Sequence, residues 1–135
     1  MMEISAEQRE ALVMAARECR HLAYAPYSHY LVGAALLAAD GHIYTGVNVE
    51  NASFGLTICA ERSAIVKMVA NGAREIKALA VSTSSGGSPC GACRQVMNEF
   101  ARTDIPIFLC DENSLVRQTT LHALLPDRFG PEHLP

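Results

Sequence analysis

Three cysteines and a glutamate stand in two short stretches of this chain. Cys59 and Glu61 belong to "CAER", residues 59–62, and Cys90 and Cys93 to "PCGAC", residues 89–93. A C-x-x-C at the start of a helix puts both sulfurs on one side of the first turn, within reach of a single ion. Thiolates at helix N-termini gain from the positive end of the helix dipole, which favours the deprotonated form a metal needs. Sulfur-rich ligation points to zinc. A structural zinc site closes with four protein ligands, whereas these two segments supply three, which leaves a fourth position for water and makes the arrangement catalytic in type. Zinc lowers the pKa of a water it binds to about 7.

Glu61 is two residues after Cys59, and residues two apart on a helix do not share a face. It is poorly placed to bind the same ion and well placed to reach the outer side of that water as a general base and proton shuttle. Three thiolates on a divalent ion leave net negative charge, so the site needs positive neighbours. Arg62 and Arg94 each directly follow a ligand segment and could donate hydrogen bonds to the sulfurs. Other readings are a redox C-x-x-C pair, or a structural zinc closed by Cys110, Cys19 or a histidine. Cys19 and Cys110 read better as small apolar core residues.

These residues need elements to position them. "SAEQ", residues 5–8, has capping-box form and starts a helix over about 6–24, with Leu12, Ala15, Ala16, Cys19 and Leu22 on its apolar stripe. Asp40-Gly41 joins two strands, about 30–39 and 42–49, as a hairpin. Thr57 is the expected cap of a helix over about 58–71, which Gly72 stops. A third strand covers 76–83. The flexible "SSGG" loop, residues 84–87, delivers Ser88 as N-cap and Pro89 as first residue of a helix over about 90–102. A fourth strand covers 105–110, a weaker fifth 115–120, and a short helix 120–124. Helices alternating with apolar strands imply one layered α/β domain over residues 1–135, with helices on both faces of the sheet.

Bulk properties exclude several classes. The chain has 135 residues, 50% of them hydrophobic and 19% charged, enough for one real core. The net charge of −3 and scattered basic residues argue against a nucleic-acid partner. No apolar run approaches the roughly 20 residues of a membrane span. The polar start "MMEISAEQRE" is not a signal peptide, so a reducing cytoplasmic location is expected. There an odd count of five cysteines reads as ligands or core thiols, not disulfides.

The zinc deaminases carry H-x-E followed by P-C-x-x-C, with a three-cysteine variant. "CAE" and "PCGAC" match that variant. Together with "PYSHYLVGAAL" (26–36), "NVENASFGLTICAER" (48–62), "SPCGACRQVM" (88–97) and "LLPDRFGP" (124–131), the chain resembles the small homotetrameric cytidine deaminases. The resemblance runs from about residue 5 to 134. It implies a three-layer α-β-α sandwich around a mixed sheet of about five strands. It implies one zinc ion per subunit, held by Cys59, Cys90 and Cys93, and hydrolysis of cytidine or deoxycytidine to the uracil nucleoside and ammonia in pyrimidine salvage.

Carried over residue by residue, Glu61 moves the protons, and the backbone carbonyls near Ala60 and Ser88 contact the amine. Asn48 and Glu50 bind the ribose 3′-hydroxyl, and Asn51 and Ala52 help shape the sugar pocket. Tyr30 and Phe129 wall the pyrimidine, with Phe129 from a neighbouring subunit, and a neighbour's Phe54 reaches the sugar. Two positions depart from the family pattern: Phe is usual where Tyr30 stands, and Tyr is common where Phe54 stands. The "SSGG" loop before Ser88 reads as a variable segment to which the resemblance attaches no function. Competing readings are a deaminase of a modified cytosine nucleoside such as blasticidin S, which the "NVEN" block disfavours, and a zinc-binding module without catalysis, which the intact Glu61 disfavours. A polynucleotide substrate is disfavoured by the acidic balance.

Overall fold

The computed structural model describes residues 4–135, except the side chains of Leu115 and Val116. Residues 1–3 of the polar N-terminus lie outside the described part. The first helix, α1, spans Ala6–Arg20. Its expected capping box is present: Ser5 Oγ accepts the Gln8 amide at 3.0 Å, and Gln8 Oε1 accepts the Ser5 amide at 2.9 Å. The helix ends earlier than its apolar stripe suggested. His21 caps it, and Leu22 lies beyond the end, 79% exposed.

A hairpin follows, β1 (Gly33–Ala38) and β2 (Ile43–Val47), both shorter than the apolar runs that announced them. The turn is the expected one: Gly41 has φ +88°, and Asp40 Oδ1 accepts the His42 amide at 2.9 Å. Then come α2 (Ala60–Ala70), β3 (Ile76–Ser82), α3 (Gly91–Phe100), β4 (Pro106–Cys110), β5 (Leu115–Thr120) and the single turn α4 (Leu121–Leu124). The five strands form one sheet in the order β2-β1-β3-β4-β5. The β3–β4 pair is parallel and the other three are antiparallel, so the sheet is mixed as expected.

Strand alternation divides the core into two layers. Ala35, Leu37, Ala78, Ala80, Phe108 and Cys110 face α1, where Leu12, Val13 and Ala16 meet them. Leu36, Leu79, Val81, Ile107 and Leu109 face the other way, onto Ala64, Ile65 and Met68 of α2 and Met97 of α3. The central strands β1, β3 and β4 are therefore covered on both faces, which explains their largely apolar sequences, interrupted in β3 by Lys77. Cys110 belongs to the α1 layer and Cys93 to the opposite one. Among the described residues, no helix is long and apolar enough to cross a membrane.

One packing contact sets where α2 can lie. A Cβ added to Gly46 of β2 would meet the backbone of α2, 2.5 Å from the Ala60 carbonyl oxygen and 2.9 Å from the Ser63 carbonyl carbon. Backbone cannot yield as a side-chain tip can. We therefore expect Gly46→Ala to destabilise the fold by about 3 kcal/mol, read as a lowered urea midpoint. Gly55→Ala, where a Cβ meets nothing within 4 Å, should shift that midpoint little. Equal midpoints for the two variants would show that α2 is not held by this contact.

Candidate active site

Two helix N-termini converge at one end of the α2–α3 layer. Cys59 is the N-cap of α2 and Cys90 the N-cap of α3. The caps are thus not Thr57 and Ser88, as the sequence suggested. Neither cysteine side chain makes a capping hydrogen bond. Both sulfurs turn instead toward each other and toward Cys93, the third residue of α3. The three Sγ atoms all lie within 4.8 Å of one another, and Cys90 Sγ is 3.5 Å from Cys93 Sγ. Tetrahedral zinc with 2.3 Å bonds spaces its sulfurs about 3.8 Å apart, so the cluster fits one zinc ion.

The fourth-ligand candidates do not reach this cluster. Cys110 lies on the far face of the sheet, and Cys19 Sγ lies against the carbonyls of Ala16, Ala34 and Gly46. Among the described residues, the group of mutually close metal-binding side chains is Cys59, Cys90 and Cys93.

Charge is arranged unevenly around the sulfurs. Arg62 Nη2 donates to Cys59 Sγ at 3.2 Å. A hydrogen bond with Cys93, joined by the Arg62 guanidinium, brings the Cys59 thiol down to about 5, and the same contact drives Cys93 up. Glu61 is 4% exposed, and burial, with the Cys59 charge adding to it, pushes its carboxyl up to about 7. Arg94 does not play the part expected of it. Its guanidinium donates to Pro89 O at 2.7 Å, Leu124 O at 2.7 Å and Ser88 Oγ at 3.0 Å, and to no sulfur. It braces the backbone that leads into α3.

A cleft of about 290 Å³ opens over this cluster. Of the residues proposed from the sequence, Tyr30, Asn48, Glu50, Cys59, Ala60, Glu61, Ser88 and Cys90 line it. Asn48 and Glu50 lie just past β2, in a segment held from both sides. Val49 exchanges backbone bonds with Ile58, while Tyr24 bonds Asn48 O and the Glu50 amide. This keeps residues 48 and 50 on one side, as strand alternation would. Asn48 Oδ1 accepts from the Val32 amide at 2.9 Å, and Nδ2 donates to Tyr30 O at 2.8 Å, which leaves one N–H free. Glu50 accepts from the Tyr27 and Ser28 amides and the Ser28 hydroxyl, and the Ser28 hydroxyl leads in lowering its pKa.

The structure does not bring the remaining candidates into this cleft. Asn51 Oδ1 caps the Ser53 amide, and Ala52 is exposed beside it. Phe54 packs on Tyr27, ring centroids 5.8 Å apart, and lines a neighbouring hollow that shares Ser28, Glu50 and Thr57. Phe129 stacks on His133 at 5.5 Å, and its carbonyl anchors Gln95 and Asn98. Ser28, Thr83 and Gly87 line the cleft and were missed. Thr83 follows the carboxyl end of β3, where open α/β sheets place ligands, and that rule could have found it.

The description "Cytidine and deoxycytidylate deaminase zinc-binding region" belongs to a family model that matches residues 6–109. The chain belongs to this deaminase family. A cytidine deaminase of Sporosarcina psychrophila is 47% identical over 127 residues, 93% of each chain. That of Halalkalibacterium halodurans is 44% identical over 93% of this chain and 97% of its own. The solved structure of a Burkholderia pseudomallei cytidine deaminase superposes with a TM-score of 0.85 at 45% identity, covering 93% of this chain and all 100% of that one. The three-cysteine cluster, positioned to bind one metal ion, lies within the residues that this zinc-binding model matches.

The two arginines should separate in experiment. Arg62→Ala removes the donor to Cys59 and is expected to weaken zinc binding about 10- to 100-fold in a competition titration with a chelating dye. Arg94→Ala should lower the melting temperature and leave zinc affinity near wild type. The reverse pattern would mean that Arg94, not Arg62, steadies the sulfurs.

Proposed function

We propose that this chain catalyses the hydrolytic deamination of cytidine and deoxycytidine to uridine and deoxyuridine, releasing ammonia. The observation that carries this reading is Glu61, a buried carboxyl opening onto the same cleft as Cys59 and Cys90. Cys59, Cys90 and Cys93 would hold the zinc, which when bound makes water a nucleophile near neutral pH. Glu61 removes one proton from the attacking water and gives it to ring nitrogen 3, then takes the remaining proton from the new hydroxyl on carbon 4 and passes it to the amine, so that the carbon 4 carbonyl forms as ammonia leaves. A buried carboxyl opening onto the cleft can both take and give a proton. The carbonyls of Ala60 and Ser88 accept hydrogen bonds from the departing amine.

The sugar end selects the substrate. The free N–H of Asn48 donates to the ribose 3′-hydroxyl, and the Glu50 carboxylate accepts from it. Such paired polar groups reject a compound lacking the hydroxyl, so free cytosine should be a poor substrate. Tyr30 forms one wall for the pyrimidine. The relatives named cytidine deaminase favour this reading over a modified nucleoside or a non-catalytic module.

Coarser features follow the same reading. One deaminase domain spans residues 1–135, since a single sheet collects strands from 33 to 120. The enzyme works as a cytoplasmic homotetramer in pyrimidine salvage. What supports the assembly is the exposure of large apolar side chains: Phe54, Leu56 and Phe129 are 74%, 64% and 57% exposed. In a tetramer Phe54 and Phe129 of a neighbouring subunit, with Asn51 and Ala52, complete the pocket.

Zinc-loaded protein is expected to turn over cytidine, followed by ultraviolet absorbance, and to leave free cytosine almost untouched. Glu61→Gln should keep about one zinc per chain while kcat falls about 10³-fold or more. A zinc-replete wild type inert toward cytidine, or a fully active Gln variant, overturns the assignment.

A further inference from the structure

The Tyr30 departure and the "SSGG" loop meet in the structure. Tyr30 Oη lies 3.0 Å from Ser85 Oγ. The backbone of Tyr30 is already committed to the cleft wall. Its amide donates to Ser28 Oγ at 3.0 Å, and its carbonyl accepts from Asn48 Nδ2 at 2.8 Å. Only the side chain is left to act, and it reaches across the cleft mouth to the loop.

The loop is held from the inside as well. Thr83 Oγ1, on a side chain almost fully buried, accepts the Gly86 and Gly87 amides at 2.8 and 3.0 Å. Gly86 takes φ +73°, a conformation that turns the chain back toward the cleft at low cost for glycine. A Cβ on Gly87 would lie 3.3 Å from Tyr30 Oη and 3.6 Å from Ser85 Oγ, so loop and phenol are in close contact. Tyr30, Thr83, Gly87 and Ser88 all line the cleft. Phenylalanine at position 30 would keep the ring and lose the bond.

We propose that the Tyr30–Ser85 hydrogen bond is a clasp tying the aromatic wall of the cleft to the loop that carries Ser88, and that it sets nucleoside affinity. This rests on the deaminase reading. Tyr30 and Ser85 act as positioning residues, because neither hydroxyl needs to touch a reacting atom. The clasp is the same in the bound substrate and in the transition state, so its loss should raise KM and spare kcat.

Y30F is expected to raise KM for cytidine about 3- to 10-fold, with kcat within about 2-fold of wild type. S85A should match it, S85T should restore the wild-type KM, and the double variant should be no worse than either single one. Hydrogen exchange gives a readout without turnover: the Gly86 and Gly87 amides should exchange about 3- to 10-fold faster in Y30F and in S85A. Multiplying effects in the double variant, or unchanged KM and exchange in both singles, would overturn the clasp. A wild type that does not turn over cytidine defeats the deaminase reading instead, and the exchange rates then decide the clasp alone.

Discussion

Three sulfurs from segments 31 residues apart must meet within 4.8 Å, and the rest of the fold answers to that requirement. The two helices carrying them have to dock on one sheet face with their N-termini at the same end. Parallel pairing of β3 with β4 helps to secure this, because the crossover between parallel strands returns α3 to the sheet with its start near the end of β3. Placement of α2 depends on its backbone lying directly on Gly46, closer than any side chain would allow. Cysteine at both N-cap positions completes the arrangement. An ordinary cap would turn its side chain inward to its own helix, whereas these sulfurs leave their helix amides for a shared centre.

The same turn of α2 holds two acids in opposite environments. Cys59 is drawn toward its thiolate by a hydrogen bond from Cys93 and by Arg62, while Glu61, two residues on, is pushed by burial toward its neutral form. Groups so close in sequence diverge because hydrogen-bond donors hold the Cys59 sulfur, whereas the Glu61 carboxyl is buried and feels the Cys59 charge. Separating the acidities of neighbouring groups is how one site can favour an anionic ligand beside a carboxyl that carries a proton. Arg94 serves this pair indirectly. By fixing Pro89, Ser88 and Leu124, it holds the start of α3, and so Cys90, in place.

The elements were legible because their signals are local. The Ser5–Gln8 box, the Asp40-Gly41 turn, the stop at Gly72 and the alternation of helices with apolar strands all depend on neighbouring residues. The cluster was legible too, since C-x-x-C and C-x-E place their groups by helix geometry alone. What stayed hidden depends on contacts remote in sequence. Thr57 and Ser88 have the chemistry of caps, yet convergence of the sulfurs moves the caps to Cys59 and Cys90. Leu22 continues the apolar period of α1 but falls past the point where the chain leaves the sheet. Arg94 sits beside a ligand in sequence, and its carbonyl partner Leu124 is 30 residues away. Phe129, expected to wall a neighbouring subunit's cleft, stacks on His133 within its own chain.

The two ends of the cleft are built to different standards of rigidity. At the proposed sugar end every polar group is set before a ligand arrives. The Asn48 amide is fixed through both of its heavy atoms, and the Glu50 carboxylate by two amides and a hydroxyl. Fixed donors and acceptors lose little freedom on binding, which is where selectivity for a hydroxyl comes from. The Ser84–Gly87 loop, by contrast, hangs on one buried threonine and one exposed pair of hydroxyls. The sugar contacts thus sit on the braced 48–58 segment, while a loop with two glycines, held through Thr83 and Tyr30, forms another part of the wall. Tyr30 joins the two parts, because its carbonyl accepts from Asn48 and its hydroxyl meets Ser85, so a change in the loop reaches the sugar contacts through one residue.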